Sequence, residues 1–270
     1  MSTEQELTLR YKYFGEFSKI NYNFKKLINI FSKENLIISY PKCGRTWLQY
    51  ILSQCIKKKT GINDNFYFFY KHPQHILSIP FLKFSHLGSQ NFVKKKNIHY
   101  IEKKNIVFLI RKIEEVLISY FYHLKFRDKS IITSLDEFIN NDQNIHKIID
   151  YYNYIYEHKN RTNKFCIVTY DDLIKDSFLQ INKIQNFFSL KLNQEHINYG
   201  LKNSTREKMR DIGKYPDTHP SLIIVDRTIN SNKVRSDNHN LQKLNDAANK
   251  KIMKLIYDNL NKDLYNLIYN

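Results

Sequence analysis

Three short apolar runs dominate what this chain can fold into: Leu36-Ile37-Ile38-Ser39-Tyr40, Ile106-Val107-Phe108-Leu109-Ile110 and Phe165-Cys166-Ile167-Val168-Thr169-Tyr170. Each gives way to a polar turn and then to apolar residues at helical spacing. Trp47, Leu48, Ile51, Leu52 and Cys55 follow the first; Val116, Leu117, Tyr120, Phe121 and Leu124 the second; Leu173, Ile181, Ile184, Phe187 and Phe188 the third. Strands that are apolar throughout must be covered on both faces, and alternation with amphipathic helices predicts an α/β fold with a central parallel sheet flanked by helices. No repeat or Pro/Gly/Ser linker divides the chain, so one domain is expected over residues 1–270. The polar, basic stretch from Glu207 to Gln242 reads as a long loop, a mobile lid or cap around 205–242, and a last helix is expected over 244–267. Ligands of such folds bind at the carboxyl ends of the strands.

Charge decides less than it promises. The formal net charge of +17 would attract nucleic acid, an anionic membrane or an anionic small molecule. Yet lysine, asparagine, isoleucine and tyrosine are all heavily used while glycine numbers 6, the bias of an AT-rich coding sequence, so much of the lysine reads as solvated surface. Three scattered cysteines make neither a metal spacing nor a disulfide framework. No apolar run is long enough for a membrane span, and the N-terminus lacks a secretory pattern. A soluble, cytoplasmic protein is expected.

The first strand runs into Tyr40-Pro41-Lys42-Cys43-Gly44-Arg45-Thr46-Trp47. A strand that turns and opens a helix presents unpaired backbone N–H groups and the positive end of the helix dipole, which together favour a phosphate-like anion. Gly44 permits close backbone approach, Lys42 adds a mobile charge, Arg45 and Thr46 add donors, and Trp47 offers a face on which adenine could stack. The pattern is not GxxxxGK[ST]: the lysine precedes the glycine, and no Ser/Thr follows a lysine to bind Mg²⁺. No metal requirement is expected.

SYPKCGRTW resembles the first cofactor motif of the sulfotransferases that use 3′-phosphoadenosine 5′-phosphosulfate (PAPS), approximately TYPKSGTTW. The resemblance implies that Lys42, Cys43, Gly44, Arg45, Thr46 and Trp47 bind the 5′-phosphosulfate end and adenine, and that 3′,5′-adenosine bisphosphate (PAP) is released. A second family motif, approximately ARNPKDVAVSYYHF, is similar to the stretch from Ile110 to His123, where Arg111 and Ser119 keep its eight-residue separation without its Asn-Pro pair. By that likeness Arg111 and Ser119 hold the 3′-phosphate. Tyr170-Asp171-Asp172-Leu173 resembles YEDL and implies a contact from Tyr170 to adenine. Ser204 and Thr205 resemble part of TSFxxM, with Arg206 in place of the aromatic. Arg235 is the nearest match to the arginine of RKGxxGDW, both glycines being absent.

An acceptor hydroxyl needs a proton acceptor, and imidazole is suited to that near neutral pH. Ten histidines compete. Phe84-Ser85-His86-Leu87 resembles the family's KTHLP-like segment, which makes His86 the implied base, with His75 second and Lys42 stabilising the leaving oxygen. The function implied is sulfuryl transfer from PAPS to a hydroxyl or amine of a small molecule. Phe66, Tyr67, Phe68, Phe69, Tyr70, Phe81 and Phe84 hint at an apolar or aromatic acceptor, or are core. Neither a nucleic-acid partner nor a membrane span is expected, and no interface signature stands out. Competing readings are a P-loop nucleotide kinase or other phosphotransferase, a basic protein binding nucleic acid or an anionic surface, and a sulfotransferase fold without turnover.

Overall fold

Four strands pair in parallel in the order β2-β1-β3-β4: β1 Asn35–Ile38, β2 Leu82–Ser85, β3 Asn105–Ile110 and β4 Lys164–Thr169. The computed structural model describes residues 35–61, 79–80, 82–87, 93, 98–212 and 244–270, all within the unit Asn35–Asn270. Between and after the strands lie α1 Arg45–Thr60, α2 Ile113–Tyr122, α3 Leu135–Asn140, α4 Asp142–Glu157, α5 Tyr170–Lys175, α6 Ser177–Phe188, α7 Gln194–Lys202, α8 Arg206–Ile212, α9 Asp246–Asn259 and α10 Lys262–Tyr269. The parallel α/β arrangement expected from the apolar runs is present.

The two central strands account for that reading. Ile37, Ile38, Ile106, Val107 and Phe108 are all fully buried, because helices cover both faces of a parallel sheet. In register, Asn35 pairs with Asn105 and Ile38 with Phe108. The chain steps from β1 outward to β2, then returns past β1 to place β3 on its other side. The strand order therefore reverses between β1 and β3. Such a switch point opens a crevice at the carboxyl ends of its two strands, where successive connections diverge to opposite sides.

Helix α7 lies against α1 closely enough to require Gly200. A methyl group there would run into Cys55 Sγ and come within 3.0 Å of the Ile51 carbonyl oxygen. Close backbone approach thus outweighs the roughly 1 kcal/mol that glycine costs a helix interior relative to alanine.

Three boundaries differ from those expected. The segment after β4 is two helices, since Asp176 leaves helical geometry (φ −143°) and its carboxylate accepts from the Leu179 N–H to start α6. The polar stretch from Glu207 is not loop at its beginning: α8 is helical, and Met209 anchors it at 2% exposure. Residues 213–243 lie outside the described residues. The last helix breaks into α9 and α10 because the Asn153 side chain, on α4, donates to the Asn259 carbonyl and accepts from the Asn261 N–H. A helix cannot continue through residues whose backbone groups are taken by a neighbour.

The start of α2 is also set by a distant residue. The Ile113 N–H donates to the Tyr269 hydroxyl (3.1 Å), which donates to Glu114 Oε2 (2.7 Å). Burial raises the Glu114 carboxyl above its usual range, with the Tyr269 hydrogen bond opposing. A carboxyl raised on folding supplies stability below its unfolded pKa and loses it as pH climbs through the folded value. Glu114→Gln, which keeps an acceptor for Tyr269, is therefore expected to gain melting temperature relative to the wild type as pH rises from about 4 to about 7. Paired thermal melts at the two pH values check this; a difference that stays flat or shrinks refutes it.

Candidate active site

Between β1 and α1 the backbone takes a positive φ twice. Lys42 has φ +76° and Gly44 φ +89°, with Cys43 between them. Left-handed geometry costs a lysine about 1–2 kcal/mol, so neighbours must hold it. The Lys42 carbonyl accepts from Arg111 Nη1 at 3.3 Å. Gly44 has a second reason to be glycine: a Cβ would lie 2.5 Å from Tyr170 Cδ2. This turn places two left-handed residues just ahead of a helix N-terminus, whose unpaired backbone N–H groups favour an anion.

The helix that follows reinforces it. Helix α1 has no acidic residue in its first turn and no side-chain cap at Gly44. Every other described α-helix carries an Asp or Glu in its first turn or as its N-cap. The positive end of the α1 dipole is thus left for an external anion. Thr46 and Arg45 are half-buried in that first turn.

Arg111 closes the other side. It follows β3 directly, and its guanidinium meets three neighbours: Nε donates to Glu115 Oε2 at 2.7 Å, Nη1 donates to the Lys42 carbonyl, and Cζ stands 4.3 Å over the Tyr170 ring. Nη2 makes no hydrogen bond among the described residues. Glu115 occupies one edge of the fork and Tyr170 one face, so the remaining donors are oriented before any ligand arrives. Ser119 lies one turn beyond Glu115 on the same face of α2. It is half-buried, and its hydroxyl makes no hydrogen bond among the described residues.

Tyr170 packs between the two turns, against Gly44, beneath Arg111 and at 6.0 Å, edge-on, from Trp47. Trp47 is half-buried, and its indole N–H donates to the Ser204 carbonyl at 2.9 Å. Ser204 contributes through that carbonyl; its hydroxyl is spent on the Gly200 carbonyl at 2.7 Å. Thr205 is exposed at the start of α8, where its hydroxyl accepts from the Lys208 N–H. Lys112 bridges the ends of β3 and β4 through Asp171 (3.1 Å).

His86 follows β2, next to β1. Its Nδ1 lies 2.8 Å from the Ser39 carbonyl oxygen. A carbonyl only accepts, so Nδ1 carries the proton, and the lone pair of the neutral ring is on Nε2. The same carbonyl accepts from the Tyr151 hydroxyl at 3.2 Å. His123 instead meets Asp128 at 3.3 Å.

The structure thus brings together Lys42, Cys43, Gly44, Arg45, Thr46, Trp47, Arg111 and Tyr170, with Ser204 holding Trp47 from below. Arg235, His75 and residues 66–70 and 81 lie outside the described residues; Phe84 packs on the core. Sequence reading missed Glu115, which is visible as an acid four residues after Arg111 on a helix. It also missed Tyr151 and Tyr152, whose place in an amphipathic helix looks like ordinary core.

A sulfotransferase domain family model matches residues 32–236. Among solved structures, a mouse sulfotransferase, SULT7A1, complexed with PAP is similar over 86% of this chain and 85% of its own, with a TM-score of 0.57 and 16% identity. A retinol dehydratase in complex with androsterone and the inactive cofactor PAP is similar over 85% of this chain and 81% of its own, with a TM-score of 0.55 and 15% identity. The family match covers most of the chain, the turn before Trp47 included, and the fold likeness extends over most of its length: this chain belongs to the sulfotransferase domain family.

Proposed function

We propose that this sulfotransferase moves a sulfuryl group from PAPS to the hydroxyl of a small apolar or aromatic acceptor, using the crevice between β1 and β3. The observation that carries the reading is the contact of Arg111 Nη1 with the Lys42 carbonyl at 3.3 Å. It makes the two anion-seeking turns neighbours, within reach of one nucleotide's 5′ and 3′ ends. The residues suit such a ligand. Gly44 keeps the first turn free of a side chain, α1 brings an uncompensated N-terminus, and Arg111 and Ser119 keep donors unused among the described residues.

PAPS, when bound, supplies an activated sulfuryl group on a phosphate leaving group. The chain's own residues do the rest. The Lys42 ammonium offsets negative charge growing on the leaving oxygen, and the α1 N–H groups share that load. His86, with Nδ1–H committed to Ser39, accepts the acceptor's proton on Nε2. Arg111 and Ser119 orient the 3′-phosphate, and Trp47 lies beside the adenine. Orientation of this kind removes entropy from the barrier before the chemistry begins.

The test is transfer of labelled sulfate from PAPS to a panel of phenols, aliphatic alcohols, sterol alcohols and amines, run with and without a metal chelator. The androsterone bound to one structural relative makes apolar alcohols the first acceptors to try. Transfer with release of PAP supports the reading. Transfer of phosphate from ATP, with none of sulfate from PAPS, replaces it with a phosphotransferase.

A further inference from the structure

Beneath the site, the hydroxyl of Tyr152 touches both turns at once. Tyr152 lies on α4 and is fully buried. Its Oη is 3.2 Å from Cys43 Sγ, 3.0 Å from the Arg111 backbone nitrogen and 3.0 Å from the Arg111 carbonyl oxygen. A phenol has one proton to give and lone pairs with which to accept. The Arg111 N–H can only donate and its carbonyl can only accept, so the phenol proton goes to the carbonyl. Cys43 must then donate its S–H. The thiol is able to, since burial pushes its pKa up to about 11 and keeps it protonated at neutral pH. All three bonds are satisfied together in one arrangement of protons.

We propose that Tyr152 is a positioning residue that locks the Arg111 turn to the Cys43 turn, so that recognition of the 3′-phosphate depends on a hydroxyl the nucleotide never touches. The proposal rests on the reading that these turns hold one 3′-phosphorylated nucleotide. Its physical basis is that both Arg111 backbone groups lie past the last β3–β4 register pair, Ile110 with Thr169. Tyr152 stands in for the missing ladder there. Without it the backbone beneath the guanidinium loses two partners, and of the ties between the first turn and the second only those such as Arg111 Nη1 on the Lys42 carbonyl remain. The neighbouring Tyr151 does the same kind of work for His86, through the Ser39 carbonyl.

The test uses Trp47, the one tryptophan of the chain, as a fluorescence reporter of PAP and AMP binding. These ligands differ by the 3′-phosphate alone, so the ratio of their dissociation constants reports that contact and nothing else. Tyr152→Phe is expected to shrink the preference for PAP about tenfold, the scale of losing hydrogen bonds to buried backbone groups. Cys43→Ala is expected to shrink it less, and Cys43→Ser, which still donates, to keep it. The Tyr152→Phe/Cys43→Ala double variant should fall no further than Tyr152→Phe alone. Loss of stability without a local role would lower the melting temperature but leave the ratio untouched. Should Tyr152→Phe not fold, Cys43→Ala decides by the same ratio. A wild type that prefers PAP, with folded variants that keep the full preference, overturns the proposal alone. A wild type with no preference removes the nucleotide reading and the proposal with it.

Discussion

His86→Ala is expected to lower the turnover number for sulfuryl transfer by about 10²–10⁴-fold, the range for losing a positioned proton acceptor. The Michaelis constant for PAPS should stay near the wild-type value, because the His86 ring meets the Ser39 carbonyl, ahead of the turn that begins at Lys42. The sharper variant is His86→Asn. Its amide nitrogen reaches the region of Nδ1 and can still donate to the Ser39 carbonyl, but nothing in it takes up a proton. Asparagine should therefore keep the melting temperature closer to that of the wild type than alanine does, while being as slow. Initial rates with labelled PAPS at saturating acceptor measure both. A turnover number close to that of the wild type in either variant would move the base to another residue.

Arg111→Ala is expected to weaken PAP binding about a hundredfold while changing AMP binding far less. Hydrogen bonds to a charged group contribute roughly 1.5–3 kcal/mol each, and each 1.4 kcal/mol is about a factor of ten. Two such bonds to the 3′-phosphate give the estimate. Arg111→Lys should restore little, since an ammonium can bridge neither Glu115 and Lys42 nor the two oxygens of a phosphate in the geometry of a planar fork. AMP binding will not be wholly indifferent: the Lys42 carbonyl loses a donor and Tyr170 loses the cation over its ring. Titration of both nucleotides against Trp47 fluorescence separates the contributions. Equal losses for PAP and AMP would place the role of Arg111 in holding the first turn instead of reading the 3′-phosphate.

The two variants probe different strands. His86 stands after β2 and Arg111 after β3, with β1 and its turn between them. Ser39 and Lys42, both in the chain leaving β1, are the points where each is tied in. The turn before Trp47, the candidate anion-binding element, therefore adjoins both ties. Cys43, at the centre of that turn, has its thiol turned inward to Tyr152.

From sequence alone, the local pieces were legible. Apolar runs identified β1, β3 and β4, since strands buried on both faces must be apolar throughout. The turn before Trp47 stood out as an anion-binding candidate through its whole string, Tyr-Pro-Lys-x-Gly-x-Thr-Trp after a strand, and not through lysine and glycine alone. The eight-residue interval from Arg111 to Ser119 placed both on one stretch of strand end and helix. What the sequence could not carry was anything set by long-range contact. The break between α9 and α10 depends on Asn153, more than a hundred residues away. The left-handed Lys42 is held by Arg111, the orientation of the Arg111 fork is set by Tyr170 and Glu115, and the tautomer of His86 is set by Ser39. A tyrosine in an amphipathic helix looks the same whether its hydroxyl meets water or the Cys43 and Arg111 turns. Periodicity records which face of an element is buried; only the packing of helices and strand ends together determines which buried polar atom meets which.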